Sequence, residues 1–150
     1  ASLVATNDAI PLWGINKDAP GHPLDVSGRA RSNEFIGIST DEPTVGSLGN
    51  GLGTSPTIND VTGTNNGFAI TFTTGTGPTA GGDMFTVTYH DAYPGFAIPV
   101  MSQVNNNAAA EWSKFTISAS SGASFTMKVR GGQTLTASTQ YVINFAVNGF

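Results

Sequence analysis

The sequence contains no cysteine, which excludes disulfide staples, thiolate metal sites and a cysteine nucleophile and leaves stability to packing or assembly. It is also poor in charge. Asp, Glu, Lys and Arg make up 11% of the residues, against roughly 25% in an average soluble domain. Six Lys or Arg against ten acidic residues give a formal charge of −4. No basic cluster is present to neutralise a phosphate backbone, so nucleic acid is not an expected partner. Nowhere do about 18 apolar residues run together, and Ala1-Ser2-Leu3-Val4-Ala5 lacks the charged start and apolar stretch of a signal peptide. The chain reads as soluble, without membrane insertion.

What is abundant is Gly, Thr, Ser and Asn. These residues lose side-chain freedom in a helix, compete for its backbone bonds or cost backbone entropy, so the composition favours strands. From Phe68 onward apolar and polar residues alternate with period two, the pattern of strands with one buried face. Phe68, Ile70 and Phe72 form one row, and Phe85, Val87 and Tyr89 a second. Phe96, Ile98 and Val100 form a third, interrupted by Pro99, which lacks an N–H and favours an edge strand or a bulge. Phe115 with Ile117, Phe125 with Met127 and Val129, and Tyr141 with Ile143, Phe145 and Val147 complete the expected core. Turn chemistry separates the rows at Thr76 to Gly82, Ser120 to Ala123 and Gly131-Gly132. Six or seven such strands predict an all-β fold, an antiparallel sandwich or jelly-roll-like knob.

The first third differs. Pro11, Pro20, Pro23 and Pro43 break it, and its apolar residues have too little chain around them to be covered. The stretch from Thr44 to Pro56 carries four glycines and no aromatic residue and reads as a linker. The expected organisation is an extended segment over 1–43, a Gly-rich linker over 44–56 and a sandwich over 57–150. Leu12, Trp13, Ile15, Leu24, Val26, Phe35 and Ile36 are the candidate assembly or docking residues, since neighbouring chains would supply the cover they lack.

Two stretches resemble bacteriophage fibre proteins. In the first, Gly14-Ile15-Asn16 leads to Ala19-Pro20-Gly21-His22-Pro23-Leu24-Asp25-Val26-Ser27-Gly28, then Arg29-Ala30-Arg31-Ser32-Asn33-Glu34-Phe35-Ile36. This order and spacing is similar to the segment that ends many fibre shafts. The second runs from about Gly63 to the end and resembles the C-terminal knob of such fibres. Its marks are Thr71-Phe72-Thr73-Thr74-Gly75-Thr76-Gly77-Pro78, Phe85-Thr86-Val87-Thr88-Tyr89 with Ala92-Tyr93-Pro94, Asn105 to Ala110, and Leu135 to Gly149. The resemblance implies a small β-sandwich that associates in parallel about a threefold axis. It implies a structural protein of the virion, on tail or capsid, that contacts other virion proteins and a host receptor, glycan or protein.

Little in the sequence points to chemistry. His90-Asp91 with Tyr93 is the most suggestive group, because an imidazole beside a carboxylate acts as a base and a tyrosine ring stacks on sugars. The same residues also make an ordinary strand end and turn before Pro94. No serine sits in a Gly-x-Ser-x-Gly elbow. Asp60, Asp83, Asp91 and Glu111 are the carboxylates available for a glycosidase-like pair. His22 with Asp18 and Asp25, or Asn59-Asp60 with Asn65-Asn66, offer metal-binding atoms without a recognised ligand spacing. Trp112 follows Ala108 to Glu111, a piece with the makings of one helical turn, and serves either as a sugar platform or as an interface residue. The expectation is a non-enzymatic homotrimer without cofactor or metal, with His90, Tyr93 and Trp112 as candidate glycan or receptor contacts. The alternative is a carbohydrate-binding module for a cell-surface glycan, stacking on Tyr93 and Trp112.

Overall fold

The computed structural model describes residues 3–5, 13–15, 24–26 and 42–149, and the chain divides into two compact units, Ala1–Ile36 and Gly37–Phe150. In the first unit, β1 (Leu3–Ala5), β2 (Trp13–Ile15) and β3 (Leu24–Val26) form a small sheet in the order β1-β2-β3. β1 runs antiparallel and β3 parallel to β2, with Trp13 opposite Leu24 and Ile15 opposite Val26. Four of the proposed assembly residues therefore share one strand pair. Leu12, Phe35 and Ile36 lie outside the described residues.

The second unit is an antiparallel β-sandwich. Its strands are β4 (Thr44–Gly46), β5 (Thr57–Thr64), β6 (Gly67–Thr73), β7 (Asp83–Thr88), β8 (Ala97–Gln103), β9 (Phe115–Ser120), β10 (Ser124–Val129) and β11 (Gln140–Gly149). One sheet has the order β4-β7-β10-β9 and the other β5-β6-β11-β8. A short helix, α1 (Asn106–Ala110), links β8 to β9, begun by Asn105, whose side chain accepts from the Ala108 N–H at 2.9 Å.

The inward residues of the two sheets meet as a continuous aromatic layer. Within one sheet Phe68 stacks on Phe145 at 5.0 Å and Phe72 on Tyr141 at 5.4 Å. Across the sandwich Phe72 meets Phe85 edge-on at 5.3 Å, Phe125 lies 5.1 Å from Phe145, and Phe115 meets Tyr141 edge-on at 5.6 Å. All six phenylalanines of these pairs and Tyr141 are buried. Each contributes about 1.5–3 kcal/mol by burial, with a further ~1 kcal/mol where the ring geometry is favourable.

Two expectations are corrected. Phe96, Ile98 and Val100 are 50%, 45% and 54% exposed, whereas Ala97 is fully buried and Pro99 is buried too. The register decides this: Pro99 lies opposite Val147 and Met101 opposite Phe145, and residues directly opposite share a face, so the inward row of β11 turns Ile98 and Val100 outward. Pro99 does sit in an edge strand, as its missing donor requires.

The second correction concerns the segment 44–56, which is no linker. β4 pairs with β7, and the turn Asn50–Leu52 places Leu52 in the core at 0% exposure. Gly75 donates to the Leu52 carbonyl at 2.8 Å and Gly49 to that of Met84 at 2.8 Å, so the segment caps the sandwich and buries Met84 beneath it. A fragment starting at residue 37 is expected to melt cooperatively, and one starting at Thr57 to be much less stable. Leu52→Ala in the full chain is expected to cost 2–5 kcal/mol in denaturant titrations, roughly the range for a buried leucine.

Candidate functional site

The candidates cluster in two loop regions. In the first, the segment after β7 crosses to the β5–β6 turn at Asn65-Asn66. The Asn65 side chain accepts from the His90 N–H at 2.9 Å and donates to the Asp91 carbonyl at 2.9 Å. The Tyr93 hydroxyl reaches the Asn65 carbonyl at 3.0 Å and the Asn66 Oδ1 at 2.9 Å. The Tyr93 ring meets Tyr89 edge-on at 5.1 Å and lies so close to Gly149 that a Cβ there would fall 1.8 Å from the ring. Tyr93 is thus a strut, half-buried, with its hydroxyl held by the turn and one ring face against the last strand. Burial raises its pKa. His90 and Asp91 sit on the exposed side of this loop, Nδ1 to carboxylate 3.6 Å, with 49% and 83% of their side chains open to solvent. A contact so open to water is worth little to stability.

Beneath this loop the Tyr89 hydroxyl is buried with no hydrogen-bond partner among the described residues. Burial, with the neighbouring Tyr93 adding to it, pushes its pKa up to about 12.

The second region is organised by Glu111, which follows α1. Its Oε1 accepts from Lys114 Nζ at 2.8 Å and Thr136 Oγ1 at 2.6 Å, and its Oε2 from the Tyr141 hydroxyl at 2.6 Å and the Thr136 N–H at 3.2 Å. Burial alone would push this carboxyl up, but the hydrogen bonds from Lys114, Thr136 and Tyr141 outweigh it and hold it at about 2. Tyr141 responds oppositely: burial first, then the Glu111 bond and charge, raise its hydroxyl far above the usual range. A small cleft of about 180 Å³ opens beside this group, lined by Asn107, Glu111, Thr136, Thr139 and Tyr141. Both carboxylate oxygens are engaged, and Glu111 thereby fixes the 130–139 loop to the sandwich. Lys114 extends the tie to the Thr134 carbonyl at 2.8 Å. The buried Thr74 adds another, donating to the Thr136 carbonyl at 2.7 Å and accepting from the Thr139 N–H at 2.9 Å.

Trp112 lies in the turn Trp112–Lys114 and packs, partly buried, against its own chain, 6.1 Å from Phe115. The structure does not bring it to Tyr93: it belongs to the Glu111 region and Tyr93 to the Asn65 region. The pairing of Asn59-Asp60 with Asn65-Asn66 fails as a cation site, because β5 separates them by roughly 20 Å at about 3.3 Å per residue. Asn59 accepts from Thr73 and Asp60 from Thr62. His22 and Asp18 lie outside the described residues, and among the described residues no three His, Cys, Asp or Glu come together. Asp83 lies 3.8 Å from Lys128, with both side chains exposed. Sequence reasoning missed the Glu111, Thr74 and Leu52 roles, since nothing local marks a partner that arrives from more than 20 residues away.

No family model matches the chain, and no curated protein or solved structure does either.

Two substitutions test these assignments with opposite signs. Tyr89→Phe removes the buried hydroxyl and keeps the ring, and is expected to raise stability by about 1 kcal/mol. Glu111→Gln is expected to cost on the order of 2–3 kcal/mol at pH 7. The folded pKa of Glu111 lies below the ordinary 4.5, so its contribution is full above that value and fades as pH falls toward about 2. Between these limits the stability of Glu111→Gln, followed by denaturant titration, is expected to fall less steeply than that of wild type.

Proposed function

We propose that this chain is a structural, non-enzymatic module of a bacteriophage fibre or virion decoration, working as a homotrimer that attaches to the particle and presents its sandwich for adsorption to a host receptor. The phage attribution rests on the resemblance of Gly14 to Ile36 and of the region after Gly63 to fibre proteins. The observation that carries a display role is that Glu111 and Tyr93 are spent on holding loops, while His90 and Asp91 lie open to solvent. Glu111 has four hydrogen-bond donors, and the Tyr93 hydroxyl is engaged by the Asn65-Asn66 turn. A stiff scaffold of this kind suits adhesion, where preorganised loops lower the entropic cost of binding.

The surface supports the same reading. It is rich in hydroxyl and amide groups, with Thr86 and Thr126 adjoining across two strands at 3.2 Å. Such a surface suits hydrogen bonding to a glycan or a protein receptor. His90 and the open side of Tyr93 remain the proposed contacts in the first loop region.

The test pairs binding with turnover. A panel of bacterial surface polysaccharides incubated with the full chain is expected to yield no new reducing ends, while electron micrographs of the same sample show threefold particles. Depolymerisation that vanishes in His90→Ala or Asp91→Ala would overturn the non-enzymatic reading. Saturable binding to one polysaccharide by a monomer, without cleavage, would instead support a carbohydrate-binding module.

A further inference from the structure

The outer face of the β5-β6-β11-β8 sheet holds a ridge beside a trough. The ridge is the edge strand β8 and its approach, where Phe96, Ile98 and Val100 are about half exposed. The trough, of about 490 Å³, lies over the centre of the sheet. Its cross-strand rows are Thr64–Gly67–Ala146–Val100 and Thr62–Ala69–Asn144–Ser102, so the floor is made by Gly67, Ala69 and Ala146 between taller side chains. We propose that this face is the surface through which copies of the chain associate, the β8 ridge of one copy lying in the trough of the next.

Three physical points select a second copy as the occupant. The first is charge. β6, β8 and β11 carry no charged residue, and Asp60 on β5 is the single one in the sheet. Molecules of net charge −4 repel one another at most approaches. A face without charge lets identical copies meet with no like-charge pair to desolvate.

The second point is shape. Ile98 and Val100 project at the two-residue repeat of a strand, about 7 Å, and Gly67 and Ala69 leave hollows at that same repeat. Large side chains and small ones therefore alternate in step on one molecule. A ridge fitting a trough elsewhere on the same chain is a heterologous contact, and such contacts close into a ring when the rotation allows.

The third point is the edge itself. Monomeric proteins blunt exposed edge strands with Lys, Glu or Pro. β8 has only Pro99, and it presents apolar side chains where a monomer would place charge. Four strands by six or seven residues span on the order of 20 Å by 20 Å. Ridge and trough share this one face of about 400 Å², roughly half of the ~800 Å² per partner of a standard interface, so the sandwich contact is a small one.

The inference takes its copy number from the trimeric reading above but assigns the contact to the sandwich rather than to residues 1–36. Sedimentation velocity on the full chain at micromolar concentration tests it. Wild type is expected to be trimeric. Ile98→Asp on the ridge and Ala69→Arg in the trough are each expected to weaken association on the order of 100-fold, and Thr88→Asp, exposed on the other sheet, to leave it unchanged. An equimolar mixture of I98D and A69R retains one intact ridge and one intact trough, and is expected to give a heterodimer that cannot close. Circular dichroism melts check folding. Ile98→Thr, which keeps the branched shape, replaces Ile98→Asp if that variant melts early, and is expected to weaken association about tenfold. Trimers that persist in I98D and A69R would overturn this assignment and leave the trimeric reading standing. A monomeric wild type would overturn both. Variants that dissociate singly yet give nothing on mixing would overturn the ridge-into-trough geometry.

Discussion

The sandwich depends on one contact layer, the aromatic rings of Phe68, Phe72, Phe85, Phe115, Phe125, Tyr141 and Phe145 closing the space between two four-stranded sheets. A chain without cysteine has no covalent staple to fall back on, so its sheets stay together by apolar burial. Aromatic side chains suit this task. They bring large area at small entropic cost, and their edge-to-face preference fixes how the sheets sit on one another. Leu52, Met84 and Leu135 close the ends of the layer from segments that are not strands or lie at strand starts.

Tyr141 links that layer to the loops. Its ring stacks on Phe72, and its hydroxyl reaches Glu111, which in turn holds Thr136 and Lys114. Loop geometry is therefore referred to the core through a short chain of charge-assisted bonds, shielded enough from water to be strong. Tyr93 does the same at the other region, its ring on Tyr89 and Gly149 and its hydroxyl on the β5–β6 turn. Both loop regions are thus tied to the aromatic layer by side-chain hydrogen bonds.

How much of this was legible in the sequence depends on the range of the interaction concerned. The rows at Phe68, Phe85, Phe125 and Tyr141 were readable because the two-residue period of a strand is local, and the fold buries all of them. The row at Phe96 was read in the wrong phase. Ala97 and Pro99 look less hydrophobic than Phe96 and Ile98, but which side faces inward is set by pairing with β11, some 45 residues later in the chain. The stretch from Thr44 to Pro56 reads as a linker in the sequence because glycine-rich stretches usually are. Here Gly49 and Gly51 permit the backbone to press against Asp83 and Gly82, where an added Cβ would sit within 2.5 Å of a carbonyl oxygen. Glu111 reads in the sequence as one of four available carboxylates, and three of its four donors come from Thr136 and Tyr141, which only the fold brings to it.

The misread phase of β8 carries the functional argument further than the correctly read rows do. Had Ile98 and Val100 faced inward, the sheet's outer side would lack its largest exposed apolar side chains. Turned outward, they add apolar side chains to a face almost free of charge, next to a trough floored by glycine and alanine. Holding them in water costs roughly 25 cal/mol for each Å² of apolar surface left uncovered. Four of the five large apolar side chains exposed among the described residues, Phe96, Ile98, Val100 and Val104, lie in or beside β8, so this cost is concentrated on one edge of the sandwich.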